Sequence, residues 1–186
     1  MIEDTPKETL SGTKKLLVLS DSHGDFPALA GILNWTKSNP FDAAVFLGDG
    51  LYDLERTPFS RIIQTVRGNS DYGISGRETA VLDFGGHRFF LCHGHRYSLY
   101  DDFDTLIHAA RSARADTALF GHTHVPFCKT VNGILLLNPG SIGRPRSSSG
   151  ATFAVLECRP DAEPQVSFWS IQGGVVQKSC ICSAKT

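Results

Sequence analysis

Five short apolar runs in this chain each end, on their C-terminal side, in side chains that offer nitrogen or oxygen donors. "KLLVLS" (15–20) leads into "DSHGD", with Asp21 and His23. "AAVFLG" (43–48) leads into Asp49, "QTVRG" (64–68) into Asn69, "RFFLC" into His93, and "TALFG" into His122 and His124. Short apolar runs bounded by turn residues read as buried strands. In α/β folds, ligands bind outside the carboxyl ends of the strands. Seven donors delivered in this way can share one crevice.

Taken singly, each donor has an ordinary explanation. Asn69 in "GNSD" suits a turn, Asp49 in "LGDG" a strand-end turn, and His93 a hydrogen-bonded core position. Jointly these explanations give no reason for all five strands to end alike. The pair in "TALFGHTHVP" adds a geometric expectation. In extended chain, residues i and i+2 point to the same side, so His122 and His124 are expected to converge on one small target. This segment alone leaves metal binding and hydrogen bonding to neighbours both open. Nitrogen and oxygen donors without thiolate fit manganese, iron, zinc, cobalt or nickel. Seven are too many for one ion that keeps an open position, and suit two ions sharing a carboxylate.

Composition bounds the rest. A chain of 186 residues, 41% hydrophobic and 20% charged, suits one domain with a sizeable core. A net charge of −1 and a pI near 6.6 give no sign of a nucleic-acid-coating or polybasic membrane-surface protein. No apolar run reaches the roughly 20 residues of a spanning helix. "MIEDTPKETLSGTKK" has no apolar centre, so a secretory signal is not expected and the cytoplasm is. Cys92, Cys128 and Cys158 sit in apolar runs and read as buried thiols in a reducing compartment; Cys180 and Cys182 read as part of a frayed tail. The expected organisation is a flexible tail over 1–13, one domain over 14–179, and a C-terminal tail over 180–186.

The first half alternates strand and helix signals. Asp25 reads as an N-cap with Pro27 in the first turn, and Leu29, Ile32, Leu33 and Trp35 give a helical stripe. "PFSRIIQ" (58–64) is expected to be a helix. The second half is rich in hairpins, around Gly85-Gly86 and Asn132-Gly133, with a helix expected over 101–115. The pattern favours two mixed sheets packed together with helices outside.

The ordered set "SDSHGD", "LGDG", "RGNSD", "CHGH" and "FGHTH", spanning 16–125, resembles the calcineurin-like metallophosphoesterase superfamily. "NPGS" (138–141) is similar to an element of its small bacterial and archaeal phosphodiesterases. The resemblance implies a four-layer α/β/β/α sandwich. It implies one metal site from Asp21, His23, Asp49 and His124, and a second from Asp49, Asn69, His93 and His122, with Asp49 bridging. It also implies two divalent transition-metal ions, manganese foremost, and a small phosphoester hydrolysed by in-line attack of a metal-bridging hydroxide. A phosphomonoesterase is the nearest alternative. A protein-binding scaffold built on the same sandwich is the alternative from another class.

One position departs from the family pattern. Many members carry histidine after the Asn; here it is Ser70, which cannot serve as an acid near neutral pH. His95 is a candidate substitute, or a histidine that only supports its neighbours. Arg144 and Arg146 in "SIGRPR" suit an anionic phosphate, or are solvated loop charges. Asp71 could orient a ligand or hold its turn.

Overall fold

A computed structural model describes residues 12–57, 59 and 61–182. Two mixed sheets carry the chain. The first contains β1 (Lys14–Leu19), β2 (Ala43–Phe46), β3 (Ile62–Thr65), β9 (Ala151–Arg159), β10 (Ala162–Gln172) and β11 (Val175–Cys182), in the order β11-β10-β9-β1-β2-β3. The second contains β4 (Thr79–Phe84), β5 (His87–Cys92), β6 (Thr117–Leu119), β7 (Phe127–Val131) and β8 (Ile134–Asn138), in the order β4-β5-β6-β8-β7. Three helices are described: α1 (Phe26–Thr36), α2 (Leu51–Arg56) and α3 (Asp104–Ser112).

Strand periodicity makes the layers. Leu16 and Val18 of β1 pack with Phe89 and Leu91 of β5 in the core between the sheets. The alternate residues Leu17 and Leu19 turn outward onto Ala28, Leu29 and Ile32 of α1. Phe90 of β5 turns the other way, onto Leu106, Ile107 and Ala110 of α3. Each central strand is thus buried on both faces, which is why it reads as a continuous apolar run. The result is the expected α/β/β/α sandwich. Parallel pairing of β1 with β2 and β2 with β3, and of β5 with β6, sends the five donor-bearing strand ends to one edge.

Local signals account for most elements. The Asp25 carboxylate accepts from Ala28 N at 3.0 Å and caps α1, with Pro27 in the first turn. Both expected hairpins form, β4–β5 and β7–β8. Two expectations are corrected. No helix covers 61–64: Ile62 begins β3, where β-branched Ile62 and Ile63 suit a strand, and residues 58 and 60 lie outside the described set. The intervening helix is instead α2, directly after Asp49-Gly50. Cys180 and Cys182 are not tail residues, since β11 continues through them and pairs them with Phe168 and Val166 of β10. The tail expected over 1–13 lies outside the described residues up to residue 11, and residues 183–186 do likewise. Cys92 and Cys158 are buried free thiols, and burial, aided by Asp116, pushes the Cys158 thiol up to about 12.

Candidate metal centre

All five donor-bearing strands stop short of their donors, so loops do the final positioning. Among the described residues other than glycine, seven have positive φ, and five of them are Asp21 (54°), His23 (44°), Asp49 (57°), His122 (68°) and His124 (62°). Left-handed backbone is uncommon outside glycine, and its concentration here marks a site held in place by its surroundings. The extended-chain expectation for His122 and His124 is therefore corrected. β6 ends at Leu119, both histidines are left-handed, and their rings part company. His124 joins His23, while His122 packs against His93, with ring centroids 5.3 Å apart.

Two glycines leave the space that the carboxylates fill. A Cβ on Gly68 would stand 2.1 Å from Asp49 Oδ1, and one on Gly121 would stand 2.6 Å from Asp21 Oδ2. The loops are fastened by side chains that sequence reasoning left undecided or missed. Asp71 accepts four backbone N–H bonds: from Asp49 (2.8 Å) and Gly68 (2.8 Å) on Oδ2, and from Gly50 (2.8 Å) and Leu51 (2.9 Å) on Oδ1. It holds a turn, but one built from two separate loops. Asn138 donates to Gly121 O and Thr123 Oγ1, and Ser141 donates to Asp21 O. The "NPGS" segment thus ties the histidine loop to the β1 loop.

Around the centre, Asp21 Oδ1 lies 3.0 Å from His124 Nε2 and 3.8 Å from His23 Nε2. Asp49 Oδ2 lies 3.7 Å from His23 Nε2 and 3.4 Å from His93 Nε2. Asp21 Oδ1 is also 3.9 Å from His93 Nε2. Two groups of potential ligands result, Asp21–His23–His124 and Asp21–Asp49–His93. Both carboxylates stand between the imidazoles, and Asp21 is common to both groups, whereas Asp49 alone was expected to bridge.

The residues fit a metal on three counts. Asp21 Oδ1 and His93 Nε2 are buried and have no hydrogen-bond partner among the described residues. Such orphans are costly unless something binds them. His93 Nδ1 is 2.7 Å from Leu47 O, and His124 Nδ1 is 2.6 Å from Arg144 O. Each carbonyl takes the Nδ1 proton and leaves an Nε2 lone pair aimed inward, as metal-binding histidines are oriented. His23 Nε2 and His124 Nε2 face each other at 3.2 Å, a separation that suits two lone pairs on one cation.

Electrostatics agree for His23 and His122, whereas His93 is drawn toward its charged form by the carboxylates it faces. Burial favours the neutral, ligating form of His23 and His122 and outweighs the opposing Asp21 and Asp49 carboxylates, so both lie below the ordinary imidazole value. Burial works against charge on His93 too, but the Asp49 and Asp21 carboxylates overcome it and raise that pKa. Burial alone would raise Asp49. His93 and two bonds from Ser70 overcome it and hold the carboxyl far below the usual range.

Ser70 is bound into this centre. Its N–H reaches Asp49 Oδ1 at 2.7 Å and its hydroxyl donates to Asp49 Oδ2 at 2.9 Å. Asn69 is exposed and its amide donates to Ser70 Oγ at 3.4 Å. His95 is half-buried, with ring centroids 5.6 Å from His93 and 6.2 Å from His122, and its buried Nδ1 has no partner among the described residues. Arg144 and Arg146 are exposed, and their backbones brace His124: Arg144 O accepts from its ring and Arg146 N donates to its carbonyl.

Comparison with known proteins is consistent with this geometry. The calcineurin-like phosphoesterase superfamily domain matches residues 15–161. The probable metallophosphoesterase YsnB of Bacillus subtilis is 29% identical over 163 residues, covering 87% of this chain and 94% of the relative. Phosphodiesterase YfcE of Escherichia coli K12 is 26% identical over 168 residues, covering 77% of this chain and 87% of YfcE. The crystal structure of wild-type Vps29 with zinc from Entamoeba histolytica is similar with a TM-score of 0.72 at 26% identity, covering 89% of this chain and 97% of that one.

Proposed function

The chain belongs to the calcineurin-like phosphoesterase superfamily, and from that premise we propose that it is a binuclear metal-dependent phosphodiesterase. The observation that carries this reading is the pair of orphaned donors, Asp21 Oδ1 and His93 Nε2, buried inside a ring of carboxylates and inward-aimed imidazoles. Asp21, His23, Asp49 and His124 would hold one ion, and Asp49, Asn69, His93 and His122 the other, with Asp21 placed to share in both. Two such ions, manganese foremost and iron, zinc, cobalt or nickel by the same donor chemistry, would supply Lewis-acid polarisation of the phosphoryl oxygen and an acidified water for in-line attack.

The chain's own residues do the rest. Asp49 and Asp21 fix negative charge at the centre. Ser70 holds both Asp49 oxygens and so orients that carboxylate. His95, beside His93 and His122 but not needed as a ligand, would hydrogen-bond a leaving oxygen. The Arg144 and Arg146 guanidiniums are available to the phosphate from the exposed loop. Preference for a diester is supported by similarity to YfcE. The buried thiols Cys92 and Cys158 suit a reducing compartment, the cytoplasm.

The test is a panel of phosphomonoesters and diesters on the manganese-loaded protein and on Asp49→Ala. Diester turnover lost in the folded variant is the expected result; equal turnover by both would overturn the assignment. A scaffold role has its own support. Vps29 shares the fold, and Tyr100 (71% exposed) and Val125 (40% exposed) border an apolar hollow with Leu99, Phe103, Phe120 and Phe127. Absence of turnover across the panel by metal-loaded protein would favour it.

A further inference from the structure

Beside the metal centre opens a cleft of about 250 Å³ that no catalytic role accounts for. His23, Asp49 and Ser70 line its end at the centre, and Tyr52, Tyr72 and Ile74 line it beyond. Tyr52 is 56% exposed and Tyr72 86% exposed. One exposed aromatic needs no explanation. Two on one cleft that reaches the donors are a different matter, because core packing accounts for neither.

Their mounting is rigid. Tyr72 follows Asp71 directly, and Tyr52 follows Leu51, whose N–H is bonded to the Asp71 carboxylate. One carboxylate therefore fixes the backbone beneath both rings. Neither ring makes a hydrogen bond or ring contact with another described residue, and the exposed part of each is open to a ligand.

The charge of the cleft says what that ligand is. Among the described residues, no lysine or arginine lines it. Its two further acids are already occupied: Asp53 by Ser22 Oγ at 2.6 Å and Gly24 N at 2.8 Å, and Asp71 by its four N–H donors. A second phosphate would meet carboxylates and no cation. A neutral planar group would meet two tyrosine faces and the Ile74 side chain. We propose that Tyr52 and Tyr72 form a stacking subsite for a neutral aromatic substituent of the phosphodiester substrate, an inference that rests on the phosphodiesterase reading above.

Two phosphinates test it without turnover, since their P–C bonds resist hydrolysis. Diphenylphosphinate and dimethylphosphinate carry the same single negative charge and differ in their aromatic groups. Their affinities for the manganese-loaded full chain would be measured by calorimetry. Wild type is expected to prefer the diphenyl compound by about five- to tenfold, the worth of one well-placed aromatic contact. In the Tyr52→Ala/Tyr72→Ala double variant that ratio should fall to near one, with circular dichroism unchanged because both side chains are exposed. The Tyr52→Phe/Tyr72→Phe variant should keep it, since stacking needs the ring and not the hydroxyl. Equal affinities in wild type, or a preference that survives the double alanine variant, would overturn the subsite alone. Failure of both phosphinates to bind wild type would overturn the phosphodiesterase reading and the subsite with it.

Discussion

Asp71→Asn is the substitution whose effect the structure defines most sharply. Each carboxylate oxygen of Asp71 accepts two backbone N–H groups, Oδ2 from Asp49 and Gly68 and Oδ1 from Gly50 and Leu51. An asparagine has one carbonyl oxygen and one NH₂. Whichever way the amide is turned, its NH₂ faces two N–H donors and two hydrogen bonds become donor–donor contacts. Hydrogen bonds to a charged group contribute about 1.5–3 kcal/mol each, so losing two costs about 3–6 kcal/mol. In a domain of this size that lowers the melting temperature by on the order of 10 °C. Asp71 is buried, so solvent cannot replace the lost acceptor. Thermal and urea unfolding of metal-free wild type and variant would measure the difference with no contribution from bound ions. Turnover should fall as well, because Asp49 loses its backbone anchor. A destabilisation below about 1 kcal/mol would show that the four bonds do not act as a clasp.

Three other outcomes follow from the same geometry. Elemental analysis of the metal-loaded protein should give two transition-metal ions per chain, and saturation at one would sink the binuclear centre. Ser70→Ala removes the hydroxyl bond to Asp49 Oδ2 while keeping the backbone bond to Oδ1; loss of a bond that orients a ligand should weaken metal binding about 10–100-fold, measured by competition with a chelating dye, and unchanged affinity would refute the role. Chelation should leave the far-ultraviolet circular dichroism intact while lowering thermal stability, by about 2.7 kcal/mol for each site that had been held at a hundredfold excess over its Kd; unfolding on chelation alone would show that the metal, not the clasps, builds the loops.

The strands and their donors were legible because both signals are local. An apolar run of the right length marks a doubly buried strand, and the residue type just beyond it marks a ligand end. The layers were legible for the same reason: alternate residues of β1, Leu16 and Leu17, serve different cores. What stayed hidden depends on partners far along the chain. Asp71 looks like a turn former, yet three of its four bonds reach residues 20–22 positions earlier. Ser70 looks like a missing acid until its hydroxyl is seen on Asp49, 21 positions away. The short helix "LYDLER" carries no clear apolar stripe, and β11, at the sheet edge, mixes polar and apolar residues. Tyr52 lies on α2 and Tyr72 in a loop 20 residues later, and only the fold makes them neighbours of one cleft.

The left-handed residues explain why so much side-chain bonding surrounds so small a site. Five proposed ligands sit at φ between 44° and 68°, each at a cost of about 1 kcal/mol or more. A metal could stabilise that geometry only after it arrives, and a loop that waits for it must order itself at the expense of binding affinity. Here the bonds that oppose the strain come from Asp71, Asn138, Ser141 and Asp53, and none of these belongs to the proposed ligand set. The ligand loops are therefore held by the fold itself, before any ion binds. At the centre, Asp21 Oδ1 and His93 Nε2 are left without a hydrogen-bond partner among the described residues. A site with a rigid frame and unsatisfied centre puts its free energy into capturing a cation rather than into folding around one. The same Asp71 bonds that set Asp49 also set the backbone under Tyr52 and Tyr72, so one carboxylate ties the proposed aromatic subsite to one proposed metal ligand.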